Sequence, residues 1–234
     1  MILGQRLGEW CGHAPSLEED LALTNIALDL IGQARSLYTY AGKVEGKGRD
    51  EDQLAFVRYE RDYRNALLVE QPNGDFARTI ARQFFHAAFM HPFWTAMKGS
   101  DDETLAGIAA KAVKEVAYHL RQSSEWMIRL GDGTEESHAR LRQAVDGLWP
   151  YTGELFEMDQ SAQAATAAGF GVDSARLRAD WQRTLDAVFA EATLEPPSAR
   201  HMQTGGRAGR HTEHLGHLLS EMQYMQRAYP GMNW

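Results

Sequence analysis

The sequence predicts an all-α fold, and three observations lead to that class. Apolar residues recur at intervals of three and four along several long segments, only 7 prolines occur among 234 residues, and no long segment alternates between apolar and polar residues. Proline-poor stretches favour helices because an internal proline removes a backbone hydrogen bond. About seven helices with short connections indicate an antiparallel bundle with additional helices around it. We expect a single domain over residues 1–234, with the segment after Met158 as its only plausible seam.

The first strong helix is predicted directly after Ser16. Ser16 and Glu19 form the pattern of a capping box, which satisfies free backbone groups at a helix start. Gly42 to Gly48 is expected to end the helix, because glycines interrupt helical segments. Its apolar face is predicted from residues that recur at helical spacing: Leu23, Ile26, Ala27, Leu30, Ala34, Leu37 and Ala41.

Six further helices are predicted along the chain. Their expected ranges are 50–70, 76–97, 102–131, 134–158, 173–194 and 210–229. Pro72-Asn73-Gly74 is a typical turn sequence before the third helix, which Pro92 is expected to kink. Residues 161–172 are rich in small side chains and are predicted to be a linker, and residues 195–209 are predicted to form a polar loop.

Composition argues against several classes of function. A formal net charge of −8 disfavours a general nucleic-acid binder or a partner of anionic membranes, because both need a basic surface. Cys11 is the single cysteine, so an intrachain disulfide is excluded, which fits a reducing compartment. No apolar run approaches the roughly 18 residues of a membrane span. Without an evident signal peptide, a cytoplasmic location is expected.

A helical bundle of this size raises the question of a carboxylate-bridged di-iron centre. Such a centre takes a glutamate from each of two helices and Glu-x-x-His from each of two others, all pointing inward. The motif Glu-x-x-His occurs once, at Glu135 and His138, in a charged segment after two glycines. Acidic residues there favour the helix dipole, so we interpret the pair as a solvated helix start. The second copy that a di-iron centre needs is missing.

Other histidines leave alternatives open. His119 lies on the predicted apolar face of the fourth helix, but Val116 stands where a glutamate ligand would be. We interpret His119 as a hydrogen-bonded core histidine, with a metal ligand as the alternative. The last helix carries three histidines at i, i+3 spacing, for which an interface is the interpretation and zinc binding the alternative: His211, His214 and His217.

A glycine-rich, basic segment precedes the last helix. Arg200, Arg207 and Arg210 stand out in an acidic chain, and helix N–H groups beside them could hold an anion. A flexible connector is the alternative interpretation. A module that binds the phosphates of an acyl-CoA through these arginines is therefore one hypothesis for the chain.

Three long strings resemble one protein family. Residues 5–41, 67–85 and 209–227 are similar to the C subunits of bacterial ring 1,2-phenylacetyl-CoA epoxidases, and the resemblance extends from Gln5 to Trp234. The lead-in before the first helix is shorter here than is usual in the family, so a truncated first helix is expected. The resemblance implies a ferritin-like fold, that is, a ferritin-like antiparallel four-helix bundle with additional helices.

The resemblance also implies a role within a multi-subunit monooxygenase of phenylacetate breakdown. Its A subunit holds the di-iron centre and phenylacetyl-CoA, and a reductase subunit delivers electrons from NADPH. The C subunit is a degenerate relative that pairs with the A subunit and supports it. For this chain the implied expectations are no catalytic residue, no cofactor and no metal of its own, with the A subunit as partner. The B subunit is a further candidate partner, and so is a second copy of the chain, in a homodimer, when it is isolated.

The resemblance further implies which residues stand at former ligand positions. They are Gln5, Gly32, Arg35, Val116 and His119. Arg35 would place a cation at the former metal site, where we expect it to neutralise leftover carboxylates such as Asp29 or Glu115. The competing hypothesis is an independent di-iron or manganese oxygenase with an unusual ligand set: Asp29, Glu115, His119, His211 and His214.

The surface that meets a partner is expected to be rich in aromatic and methionine side chains. The residues near the two ends of the chain that fit this description are Trp10, Met222, Tyr224, Met225 and Tyr229. A place in the core is the alternative for each of them.

Overall fold

The computed structural model describes residues 1–232, which contain α-helices, short 3₁₀ turns and no strand. The all-α fold class is confirmed, and it agrees with the ferritin-like bundle predicted from the sequence. The helices of the described residues are α1 (Ile2–Gly8), α2 (Leu17–Glu45), α3 (Glu51–Phe56), α4 (Leu67–Glu70), α5 (Phe76–Met97), α6 (Glu103–Gly131), α7 (Glu135–Leu148), α8 (Gln160–Ala167), α9 (Arg178–Glu191), α10 (Glu213–Met222) and α11 (Tyr224–Ala228).

The chain divides into two compact units. The first unit comprises Met1–Pro72 and the residues from Gly205 onward, and the second comprises Asn73–Thr204. The division therefore falls outside the segment after Met158 that the sequence suggested as a seam. The single domain predicted over residues 1–234 remains a prediction.

The small-residue segment 161–172 contains a helix, so the linker predicted there is wrong. Asp159 caps α8 by accepting a hydrogen bond from the backbone N of Ala162 at 2.7 Å. After α8 the chain returns to the connection between α5 and α6, where Asp101 N donates to Gly169 O at 3.0 Å. Alanine favours helix, and these caps and long-range bonds hold the segment within the second unit.

Helix α2 dominates the first unit. Ser16 caps it by accepting a hydrogen bond from Glu19 N at 3.4 Å, as the sequence predicted, and Gly46 ends it with a φ of +67°. Leu23 and Ile26 are fully buried, which confirms the predicted apolar face. Within this unit α2 packs against α1 and α3, and α4 packs against α1 and α10.

The helix predicted over residues 50–70 is broken in the middle. Helix α3 ends at Phe56, and α4 begins at Leu67. Between them the buried hydroxyl of Tyr63 donates to Ala55 O and accepts a hydrogen bond from Gln223 Nε2 at 2.9 Å. These bonds hold the intervening chain in a non-helical path, although no glycine or proline marks the break in the sequence.

The last predicted helix, 210–229, is also divided. Helix α10 ends at Met222 and α11 begins at Tyr224, with Gln223 between them. The side chain of Gln223 donates to Arg58 O and to Tyr63 Oη, each at 2.9 Å. The two breaks in the first unit are therefore joined by one hydrogen-bonded cluster.

Helices α5, α6, α7 and α9 form the core of the second unit. Helix α5 has the predicted bounds, contains Pro92, and contacts each of the other three helices. A connection of only a few residues joins α5 to α6, so the two helices run antiparallel. Trp181 of α9 is buried and donates from Nε1 to Phe85 O at 3.1 Å. The surrounding aromatic core is formed by Phe84, Phe85, Phe89, Trp149, Phe156, Trp181 and Phe189.

The fifth and sixth predicted helices are shorter than expected. Helix α7 ends at Leu148, and the chain continues through 3₁₀ turns to Phe156 instead of remaining helical to Met158. Pro150 lacks the N–H that an α-helix would use, which favours the change. Helix α9 begins at Arg178 after a 3₁₀ turn.

Replacing Tyr63 with phenylalanine is expected to destabilise the first unit by about 1–2 kcal/mol, because the carbonyl of Ala55 loses its hydrogen-bond donor in a buried position. Chemical denaturation measures the free energy of unfolding. Tyr59→Phe is the matched control, because Tyr59 is 72% exposed and should change stability by less than about 0.5 kcal/mol. Equal effects of the two substitutions would show that the Tyr63 hydroxyl does not stabilise the break.

Candidate functional site

The face between α5 and α6 is where a bundle metal site is expected. Val116 and His119 on α6 are both buried, at 1% exposure each. Burial, the neighbouring His119 and the charge of Arg82 together lower the pKa of His86 on α5 to about 3. His86 is therefore a neutral imidazole at pH 7, and α5 contributes a second histidine to the region around His119.

His86 belongs to a pattern that the sequence interpretation passed over. Gln83 precedes it by three residues, so α5 carries Gln-x-x-His, in which an amide replaces the carboxylate of Glu-x-x-His. Gln83 is fully buried, and neither of its amide atoms has a hydrogen-bond partner among residues 1–232. The signal was available in the sequence, because the spacing is that of a ligand pair on the most apolar helix.

The side chains of the α5–α6 face do not fit a carboxylate-bridged di-iron centre. An amide stands at Gln83 and an alkyl group at Val116, where such a centre needs carboxylates. Arg82 is fully buried on α5, its Nη2 donates to Asn73 Oδ1, and its positive charge disfavours a metal cation nearby. Across the described part of the chain, no three His, Cys, Asp or Glu side chains gather closely enough to hold a metal ion.

The remaining former ligand positions lie in the first unit. Gln5 is half-buried on α1, and its Nε2 lies 3.7 Å from Met1 Sδ. Gly32 lies on α2, where an added Cβ would meet no atom within 4 Å. Arg35 is also on α2, with its side chain 75% exposed and its Nε 3.1 Å from Glu51 Oε1.

The expected neutralisation of Asp29 by Arg35 is wrong, and that of Glu115 stays a prediction. Arg35 is six residues from Asp29, which places the two on different sides of α2, and it pairs with Glu51 instead. Glu115 pairs within α6, where its Oε1 lies 3.4 Å from Lys111 Nζ. Both ion pairs are partly exposed, so neither replaces a metal in a core.

The one Glu-x-x-His motif is a helix start, as the sequence interpretation expected. Glu135 is exposed in the first turn of α7. His138 Nδ1 lies 2.7 Å from Gly131 O and 3.4 Å from Thr193 Oγ1. His138 therefore contacts the neighbouring loop, and the pair does not form a metal site.

The arginines proposed for an anion site belong to different units. Arg200 is exposed in the second unit, whereas Arg207 and Arg210 are in the first. Gly205 and Gly209 flank a single 3₁₀ turn, each with a positive φ. Binding of a CoA phosphate by these three arginines stays a prediction.

The histidine series of the last helix is divided among separate environments. His217 is exposed on α10, and His214 contributes its carbonyl oxygen to Arg6 at 3.2 Å. His211 precedes the helix and is directed to the carboxylate of Glu70, with its Nδ1 3.1 Å from Glu70 Oε2. The three side chains therefore do not act as one ligand group.

Glu70 and His211 form the most deeply buried ion pair of the first unit. Both side chains are fully buried, and Glu70 also accepts hydrogen bonds from Thr212 N at 2.9 Å and Asn65 Nδ2 at 3.4 Å. The other ring nitrogen of His211 lies 3.1 Å from Tyr63 O. Because both ring nitrogens face acceptors, only the protonated imidazolium satisfies both contacts.

The surroundings of His211 agree with the charged form. Burial lowers the pKa of His211, but the hydrogen bond and charge of Glu70 outweigh it and raise that pKa above its ordinary value. Arg6 connects α1 to the same cluster, because its Nη2 donates a hydrogen bond to the main-chain oxygen of Glu70 at 3.0 Å. No local pattern could have revealed this pair, since 141 positions separate its two members.

Comparison with known proteins identifies the family. The family model described as "Phenylacetic acid catabolic protein" matches residues 1–234. The chain belongs to this family. It is 53% identical over 234 residues to the C subunit of 1,2-phenylacetyl-CoA epoxidase from Escherichia coli (strain K12), covering 100% of this chain and 94% of that protein. The resemblance inferred from the sequence is confirmed.

Two clusters of buried polar groups are the candidate site features of the described residues. The α5–α6 face holds a neutral histidine beside a buried arginine, and the first unit holds the Glu70–His211 pair. Among residues 1–232 no helix combines the length and apolar character needed to cross a membrane.

Replacing Glu70 with glutamine is expected to lower the free energy of unfolding by about 3 kcal/mol at pH 6, because a buried imidazolium loses its counter-charge. Chemical denaturation measures the change. Glu221→Gln is the matched control, since Glu221 is an exposed glutamate in the same unit.

The Glu70–His211 pair also predicts a pH dependence. A raised folded-state pKa means that the stabilisation is complete below the unfolded value of 6.5 and is lost as pH rises through the folded pKa. The difference in unfolding free energy between the wild type and Glu70→Gln should therefore shrink with increasing pH. Parallel pH profiles would contradict a charged His211.

Proposed function

We propose that this chain is a non-catalytic structural subunit of a bacterial multicomponent di-iron monooxygenase that epoxidises phenylacetyl-CoA in aerobic phenylacetate catabolism. In this proposal it pairs with the catalytic A subunit and stabilises it. The observation that carries the proposal is 53% identity, over the whole chain, to a protein named as the C subunit of 1,2-phenylacetyl-CoA epoxidase.

The chemistry of the α5–α6 face supports a structural role. Its side chains offer an amide, an alkyl group and imidazole nitrogens, and they lack the carboxylates that bridge two irons. The buried guanidinium of Arg82 supplies positive charge from the protein itself. A bundle built this way retains a packed scaffold, so its contribution to a reaction must come through contacts with a catalytic partner.

The proposed roles of the subunits follow from the lack of carboxylate ligands on the α5–α6 face of this chain. The di-iron centre and the phenylacetyl-CoA site belong to the A subunit, and electrons from NADPH arrive through a reductase subunit. The B subunit and, for the isolated chain, a second copy of itself are further candidate partners in the proposal. Neither nucleic acid nor a membrane is a proposed partner.

Exposed apolar residues on α2 offer a surface for pairing. Leu17, Leu21 and Leu28 are 71%, 56% and 60% exposed. At about 100° per residue they lie within about 40° of one another on the helix surface. Three exposed leucines in one row are unusual for a free surface and typical of a partner contact.

The aromatic and methionine candidates from the sequence fall into two groups. Tyr224, Met225 and Tyr229 are 60%, 40% and 49% exposed and are therefore accessible to a partner. Trp10 and Met222 are half-buried. Both groups stay predictions as contact residues.

Iron content tests the non-catalytic role. The purified chain is expected to hold less than about 0.1 iron per molecule, because the ligand set of a di-iron centre is missing. In the complex with the A subunit, His86→Asn in this chain should leave the iron content unchanged. Elemental analysis measures both quantities, and two irons per isolated chain, or iron lost with His86→Asn, would contradict the proposal.

Pairing is tested by co-purification with a tagged A subunit. Changing Leu17, Leu21 and Leu28 together to glutamate is expected to reduce recovery at least tenfold, since charges would be buried in an apolar contact (about 1.4 kcal/mol or more). Val44→Glu is the control, because Val44 is 70% exposed on the opposite side of α2. Undiminished recovery of the leucine variant would exclude this face, and no recovery of the wild type would exclude the partner.

A further inference from the structure

A small surface pocket lies at the beginning of α5, wholly within the second unit. Its volume is about 260 Å³, and it is lined by Asp75, Arg78, Arg140, Gln143 and Ala144. Two arginines and an amide thus converge beside the N-terminus of a helix of 22 residues, whose free N–H groups and dipole favour negative charge.

Arg78 is the group that most clearly lacks a partner. Its guanidinium is half-buried, and no hydrogen bond or ion pair joins it to residues 1–232. Burial lowers the pKa of Arg78, while Asp75 and Tyr151 oppose that shift. An arginine stays protonated in this setting, so a partly desolvated positive charge faces the pocket.

Two glycines make room for Arg78. A Cβ on Gly74 would lie 2.7 Å from Arg78 Cδ, and a Cβ on Gly147 would lie 3.1 Å from Arg78 Nη1. Gly147 is inside α7, where glycine is less favourable than alanine by roughly 1 kcal/mol. The absence of a Cβ at Gly74 and at Gly147 therefore leaves space for the side chain of Arg78.

Arg140 and Gln143 complete the donor set. Arg140 Nη2 is 2.6 Å from Glu136 Oε1, and its Nη1 is 3.6 Å from Asp75 Oδ2, so the second guanidinium is held at the pocket from two sides. Gln143 follows on α7 by three residues, which places its amide on the same face of that helix. Planar guanidinium groups bind oxyanions through paired N–H donors.

Asp75 limits which oxyanion can enter. Its Oδ1 accepts the hydrogen bond from Arg78 N at 2.9 Å that caps α5, and its Oδ2 faces Arg140. A carboxylate only accepts hydrogen bonds, so it repels an anion without protons and accepts a bond from an anion that carries one. Sulfate carries no proton at neutral pH, whereas hydrogen phosphate does.

We propose that the pocket of Arg78, Arg140, Gln143 and Asp75 binds a phosphate group that carries a proton. The volume admits one such group. The expected source is inorganic phosphate, because a phosphate monoester with a second pKa of about 6 is mostly an unprotonated dianion at pH 7 and is therefore repelled by Asp75 as sulfate is. The proposal is independent of the structural role proposed above.

Isothermal titration of the purified full-length chain with inorganic phosphate, sulfate and CoA at pH 7 tests the proposal. Saturable phosphate binding is expected, with sulfate at least about tenfold weaker, because sulfate cannot donate to Asp75. CoA should also bind more weakly than phosphate, because its 3′-phosphate monoester is mostly an unprotonated dianion at pH 7.

Variants assign the binding to the pocket. Arg78→Ala is expected to weaken phosphate binding at least about tenfold, and Gln143→Glu should do the same by adding a negative charge at an exposed position that the fold does not need. Asp75→Asn keeps a helix cap and should remove the difference between phosphate and sulfate. Arg183→Ala is the control, since Arg183 is an exposed arginine on α9 paired with Asp180.

Three results would overturn the proposal. They are the absence of saturable phosphate binding by the wild type, wild-type affinity in either folded variant, Arg78→Ala or Gln143→Glu, and equal binding of phosphate and sulfate by the wild type. A circular dichroism spectrum and a melting temperature for each variant separate loss of binding from loss of folding. Gln143→Glu keeps the test informative even where Arg78→Ala fails to fold.

Discussion

The buried carboxylate of Glu70 is the interaction on which the first unit depends. It accepts hydrogen bonds from His211, Thr212 and Asn65, while its own main-chain oxygen accepts two bonds from Arg6. Helices α1 and α4 and the start of α10 meet at this one residue. Burying a charge is expensive unless every lone pair is matched, and here the matching groups come from distant parts of the chain. The cluster therefore specifies how the C-terminal residues return to the N-terminal helices.

In the second unit, helix α5 is the element on which the packing depends. Helix α5 packs against α6, α7 and α9 and supplies Phe84, Phe85 and Phe89 to the aromatic core. The same helix carries Arg82, Gln83 and His86, which are polar groups in an otherwise apolar environment. Gln83 and His86 are neutral at pH 7, Arg82 is positive, and Val116 on the facing helix is an alkyl group. These side chains do not fit a carboxylate-bridged di-iron centre.

The residues with the clearest physical reason to bind a partner or a ligand lie on the surface of the protein. Two surface features have physical reasons to bind something: the row of exposed leucines on α2, and the half-buried guanidinium of Arg78 at the beginning of α5. The row of leucines presents apolar surface area, and Arg78 presents a positive charge without an ion-pair partner among residues 1–232. The first is the contact surface in the proposed complex, whereas the second rests on the geometry of the pocket alone.

The sequence by itself determined the helical class, the family and the longest helices. The Ser16 cap, the apolar periodicity of α2 and the bounds of α5 are local features, decided within a few residues of each position. Only the tertiary structure decided the breaks at Tyr63 and Gln223, because distant hydrogen bonds outweigh a continuous helical pattern there. The tertiary structure also decided the pairing of Glu70 with His211 and the position of His86 near His119 and Arg82. The burial and charge that define these sites come from residues far away in the chain, which local spacing cannot reveal.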